Sequence, residues 1–145
     1  MTFELDIQNL NFAEQIQARF DEIKVPIQAA MAGRFREIVM ENFGETGTDR
    51  PEEWPALSPK YAKRVGREEA TLFVTGTLMN SVEIDPYNPD AAVVSTKCSY
   101  AMAHQYGEGN MPKRPFFPMT DLELTPYAEQ QVMEAAQHEA ERLLA

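Results

Sequence analysis

Apolar residues at Phe12, Ile16, Phe20, Ile23, Ile27, Met31, Phe35, Ile38 and Phe43 advance almost entirely by threes and fours. That spacing draws one apolar stripe along an α-helix. Gln17, Asp21, Glu22, Arg34 and Glu41 fill the other faces. Pro26 interrupts the pattern and lacks the amide that an interior ladder needs, yet the stripe keeps its phase across it. The pattern predicts one helix kinked near Pro26, or two abutting helices, over residues 10–43. Fully helical, such a segment spans about 50 Å, against a radius of gyration of about 15 Å for a domain of this length. Its end is expected to project or to pack on a neighbouring subunit. The alternative is a fold-back at Pro26 within one domain.

Gly44, Gly47, Pro51 and Pro55 mark residues 44–57 as a loop. Trp54 within it either plugs the core or anchors a partner. Ser58 is positioned to cap a short helix with Pro59 at its first turn, where a missing amide costs nothing. On that helix Lys60, Lys63, Arg64 and Arg67 fall at i, i+3, i+4 and i+7, a single basic face, with Tyr61 and Val65 on the other. Thr75 reads as the cap of one or two helical turns that carry Leu78 inward.

Val82 to Asp85 alternates as a strand, residues 86–90 hold strong turn chemistry, and residues 91–96 return as the second arm of a hairpin. Residues 100–106 form a short helix that Gly107 ends, and Gly107 to Pro112 is an exposed loop. Pro115-Phe116-Phe117-Pro118 is proline-bounded and suits an edge strand. Thr125-Pro126 starts a final helix to about residue 143, with Ala128, Val132, Ala135, Ala136 and Leu143 as a narrow stripe of mostly small residues. The chain therefore reads as one α+β domain over residues 1–145. Its long N-terminal and C-terminal helices pack on a small antiparallel sheet.

Composition acts chiefly by exclusion. Of 145 residues 43% are hydrophobic, and Lys plus Arg number 13 against 23 Asp plus Glu, a net charge of −10. That balance opposes general polyanion binding, which rests on neutralised phosphates. No apolar run is long enough for a membrane span, and residues 1–6 lack the pattern of a signal peptide. A lone Cys98 fits a reducing compartment. Two histidines and one cysteine cannot make a Cys/His structural zinc site, and no phosphate-loop, dinucleotide or metalloprotease motif is complete. No catalytic, cofactor or metal site is expected. The charge is uneven: residues 1–57 carry a net −6, residues 58–120 a net +1 and residues 121–145 a net −5. Two acidic helical ends around a basic middle suit self-assembly. The basic face of one copy would meet Glu129, Glu134, Glu139 and Glu141 on the C-terminal helix of the next.

Four constellations occur in order between the two terminal helices: Trp54-Pro55-Ala56-Leu57-Ser58 with Tyr61-Ala62; Thr71-Leu72 with Thr75-Gly76-Thr77-Leu78 and Ser81; Tyr100-Ala101 with His104-Gln105 and Gly107; and Arg114-Pro115-Phe116. Over about residues 10–145 this order resembles the phage virion-morphogenesis family, which includes tail-completion and neck proteins of Mu-like phages and prophages. The resemblance implies a non-enzymatic structural protein of the virion, assembled in the host cytoplasm. Such proteins join or close the head–tail junction, as oligomeric rings bound to neighbouring neck or tail proteins. No cofactor and no membrane partner are expected, and DNA only in passage through the ring. By the same resemblance Trp54, Leu57, Tyr61, Thr75, Gly76, Leu78, Tyr100, His104, Gly107, Pro115 and Phe116 are structural motif positions.

Sharper readings stand beside plainer ones. His104 as a catalyst would need a nucleophile and an acid, for which Cys98 and Glu108 are the local candidates. The plainer role is to hold a turn by donating to a backbone carbonyl, with Tyr100 packed four residues earlier. The Lys60, Lys63, Arg64, Arg67 face is a solvated surface, a subunit contact or a DNA contact. Arg114 beside Phe116 and Phe117 has the composition of an interface anchor, while alternation along a strand would bury Phe116 and expose Phe117. Two other classes remain: an acidic DNA mimic or other interaction protein without catalysis, which the basic middle counts against, and a small hydrolase.

Overall fold

The computed structural model describes residues 7–44, 46–66, 76–85, 87–88, 90–120 and 123–145. Helix α1 (Ile7–Asn42) runs through Pro26 as one element of 36 residues, about 54 Å at 1.5 Å per residue. The alternatives of two abutting helices and of a fold-back at Pro26 are therefore replaced by continuous helix. Proline removes a single ladder bond, and the apolar stripe continues unbroken on both sides of it.

Helix α2 (Pro59–Val65) starts at Ser58, whose hydroxyl accepts from the Tyr61 amide at 3.3 Å, and ends at Gly66 with φ 74°. Helix α3 (Thr77–Asn80) follows Gly76, which takes φ 81° in the cap position; the cap expected at Thr75 lies outside the described residues. Strands β1 (Val82–Asp85) and β2 (Val93–Thr96) pair antiparallel, Val82 opposite Thr96 and Asp85 opposite Val93. Helix α4 (Ala101–Tyr106) and a second small hairpin, β3 (Met119–Thr120) with β4 (Glu123–Leu124), lead to α5 (Pro126–Leu144). The α+β architecture is the expected one, with the second hairpin added. Thr125 caps α5 through its hydroxyl, which accepts from the Ala128 amide at 3.1 Å, with proline at the first turn.

Helix α5 lies along α1. Ala32, Ala128 and Val132 are buried, and such small side chains let two helices approach closely. Arg34 fixes the register by donating to Gln131 Oε1 from Nε at 3.1 Å and from its terminal nitrogen at 2.8 Å. A two-stranded hairpin is marginal alone in water. Here α1 covers it, and Arg36 Nε donates to the Val82 carbonyl at 3.0 Å. The core sits where α1 ends: Val39, Phe43, Trp54, Leu78, Val82, Ala101 and Phe116 form one buried cluster.

Residues 115–118 belong to no strand, which corrects the edge-strand expectation. Two buried side-chain amides take the place of a ladder. Gln105 Oε1 accepts from the Phe116 and Phe117 amides, both at 3.0 Å, and Asn42 Nδ2 donates to the Phe116 carbonyl at 2.9 Å.

Candidate functional site

The loop after α1 is organised by Asn42, which is fully buried. Its Oδ1 accepts from the amides of Thr48 at 3.1 Å and Asp49 at 2.9 Å, while its backbone carbonyl accepts from Arg50 Nε at 3.0 Å. The Arg50 guanidinium then lies 3.6 Å over the Trp54 ring, a cation–π contact. Trp54 is 5% exposed and its Nε1 donates to the Pro115 carbonyl at 2.8 Å. The indole therefore plugs the core.

That anchorage brings residues 55–57 against Arg114, whose Nε donates to the Pro55 carbonyl at 2.9 Å and whose terminal nitrogen donates to that of Ala56 at 3.0 Å. The Arg114 amide in turn donates to the His104 carbonyl at 2.7 Å. Gly107 makes this reversal possible. It has φ 79°, and a Cβ there would stand 3.2 Å from the Met111 carbonyl.

All four sequence constellations meet at one cleft of about 690 Å³. Leu57, Ser58 and Tyr61 come from the first, Gly76, Thr77 and Leu78 from the second, Tyr100 and His104 from the third, and Arg114 from the fourth; Met111 and Pro112 complete much of the rim. Among the described residues its walls carry one permanent cation, Arg114, and no carboxylate. Burial lowers the pKa of Arg114 from its usual value, partly offset by Tyr61. The His104 pKa is lowered first by burial and then by the Arg114 charge, which favours the neutral ring. The ring of Tyr100 packs edge-on to His104 at 5.7 Å.

His104 does not hold the turn as expected from the sequence. Among the described residues its buried Nδ1 has no hydrogen-bond partner, and its contribution to the turn is its backbone carbonyl, which accepts from the Arg114 amide. Among those residues no nucleophile or acid is joined to that nitrogen. Glu108 pairs its backbone with Met111 and is exposed. Among the described residues no group of three or more His, Cys, Asp or Glu could hold a metal ion. The arrangement offers apolar burial, one embedded cation and several hydroxyls, the means of holding a partner.

The other candidates divide. Lys60, Lys63 and Arg64 are exposed on α2, and Arg64 reaches over the Tyr61 ring at 5.0 Å. Arg67 lies outside the described residues, beyond the helix end at Gly66. Arg114 is 7% exposed and its guanidinium is engaged by carbonyls of its own chain. Phe116 is buried against Phe43 at 5.2 Å, and Phe117 is half-buried, edge-on to Phe35 at 5.7 Å. Asn42 and Gln105 escaped sequence reasoning. The available signal was a polar residue set directly beside Phe43 of the apolar stripe, and a glutamine following His104 in the third constellation.

Residues 8–143 match the model of the phage virion morphogenesis family. The chain is also 28% identical, over 147 aligned positions, to "Mu-like prophage FluMu G protein 2" of Haemophilus influenzae, covering 92% of this chain and 93% of that protein. No solved structure matches it.

Proposed function

The chain belongs to the phage virion morphogenesis family, and from that membership we propose that it completes or joins the tail at the head–tail junction as an oligomeric ring. The family carries a structural role in virion morphogenesis. To this the proposal adds the junction, the ring and the neighbouring neck or tail proteins.

The observation that supports the reading is the convergence of the family-like constellations on a cleft built for contact. Among the described residues its walls are largely apolar, they hold one embedded arginine, and no nucleophile–base pair forms at His104. An exposed basic helix borders it, in a chain whose two ends are acidic. Such opposed surfaces favour head-to-tail association of identical copies, which closes a ring when the rotation closes. DNA would pass through that ring. Assembly would take place in the host cytoplasm, with the product in the virion. Among the described residues no helix is long and apolar enough to cross a membrane.

The test is microscopy of particles produced by a prophage from which this gene has been deleted. Separate heads and tails, rejoined on supplying the protein, are expected. Complete, infectious particles made in its absence would refute the proposal.

A further inference from the structure

Among the described residues, helix α1 outruns what packs on it. Helix α5, with 19 residues, is about 28 Å long against about 54 Å for α1, and the exposure pattern shows where cover stops among them. From Ile23 onward each α1 side chain is half-buried or buried apart from Glu37 and Glu41, whereas Gln17 to Glu22 are exposed without a break. Phe20 lies in that stretch at 57% exposure, and the sequence spaces Phe12 and Ile16 in register with it. A helical segment of this length is marginal in water without tertiary cover, and an apolar stripe on it calls for a second surface. Its charge is acidic: Glu14, Asp21 and Glu22 against Arg19.

The complementary surface is on the same chain. Helix α2 presents Lys60, Lys63 and Arg64, none of them in the ion pairs of the described residues, which are Arg34–Glu37, Lys113–Glu52 and Arg142–Glu139. Beside them the cleft offers Leu57, Tyr61 and Met111 as apolar wall. Helix α5 is the weaker match for this basic face. Glu139 is already paired with Arg142, and the buried stripe of α5 already rests on α1.

We propose that the α1 arm of one copy docks on α2 and the adjoining cleft of a second copy. Phe20 is buried against Leu57, Tyr61 and Met111, and Glu14 and Asp21, which flank it on one side of the helix, lie opposite Lys60, Lys63 and Arg64. The contact is heterologous and so propagates around a ring; in this it rests on the ring reading above. Apolar burial supplies most of the affinity and the charges set the register, because exposed pairs contribute little individually.

Sedimentation velocity of the full chain over a concentration series tests it, with thermal unfolding as the control for folding. Phe20→Ser is expected to lower the oligomer mass at an unchanged midpoint. The triple reversal K60E/K63E/R64E is expected to weaken self-association about tenfold to a hundredfold. Adding E14K/D21K should recover much of that loss. Higher salt should weaken the oligomer without abolishing it. A wild type that stays monomeric, an oligomer indifferent to Phe20→Ser, or rescue by E129K/E134K/E141K in place of the arm reversal would each overturn the arm contact. The deletion-particle experiment is independent of these outcomes. Unjoined heads and tails together with an oligomer indifferent to Phe20 would refute the arm contact and leave the junction role standing.

Discussion

The indole Nε1 of Trp54 donates to the carbonyl of Pro115 across 61 positions of sequence, at 2.8 Å. This bond ties the loop after α1 to the segment that carries Arg114, so both walls of the cleft depend on it. Trp54→Ala removes a large buried side chain and should cost about 3–5 kcal/mol. Trp54→Phe keeps most of the volume but leaves the Pro115 carbonyl without its donor, at about 1–3 kcal/mol. Urea unfolding of the two variants should rank them in that order. An unchanged midpoint with lost assembly would make Trp54 an interface anchor instead.

Much of the fold was legible because its signals are local. The three- and four-residue apolar spacing of Phe12 to Phe43 gave α1, Ser58-Pro59 and Thr125-Pro126 gave two helix starts, and Val82 to Thr96 gave the hairpin. The unbroken phase of the stripe pointed to one helix through Pro26, and only the structure decided between it and two abutting helices, since the residue type reports a missing amide and not what the surrounding packing will tolerate. The role of Arg114 was hidden for another reason. An arginine beside Pro-Phe-Phe has an interface composition, and only the fold brings it to the carbonyls of Pro55 and Ala56, 59 and 58 positions away. Asn42 and Gln105 likewise act on partners fixed by tertiary structure, and they turned a segment read as an edge strand into one bonded by side chains. The four constellations could be read singly, but their meeting around one cleft belongs to the three-dimensional arrangement.

Arg114→Lys should be far from conservative. A guanidinium can donate to two adjacent carbonyls at fixed spacing, and an ammonium is a compact point charge without that fork. Losing one of the two bonds in a buried setting should cost about 1–3 kcal/mol. The loss should appear in the unfolding free energy of the isolated protein. Were Arg114→Lys as stable as wild type but defective in oligomer formation, Arg114 would have to face a partner.

His104 gives the stability a pH dependence of definite sign. Burial and the Arg114 charge lower its pKa in the folded chain below the ordinary value of 6.5. The unfolded chain therefore takes up this proton first as the pH falls. The neutral ring's contribution is complete above about pH 6.5 and is lost progressively on acidification, down to the lower folded pKa. Chemical unfolding of wild type and His104→Phe at stepped pH should show the wild type losing more stability toward acid than the variant. Parallel curves would mean that His104 titrates alike in both states.

Thr125 joins two distant parts of the chain. Its hydroxyl accepts from the Ala128 amide at the start of α5 and donates to the Asp49 carboxylate in the loop organised by Asn42. The carboxylate is thereby held near the positive end of a 19-residue helix, where negative charge is favourable. Thr125→Ala should cost about 1–2 kcal/mol through the lost cap, while Thr125→Ser, which keeps the hydroxyl, should cost much less. Asp49→Asn should also destabilise, because it weakens the acceptor and removes the charge. If the two groups act through one another, the double variant T125A/D49N will lose less than the two single losses together. Contacting residues of this kind typically couple by about 0.5–3 kcal/mol. Strict additivity in urea unfolding would show that the cap and the loop are stabilised separately, and that α5 does not depend on Asp49 for its docking.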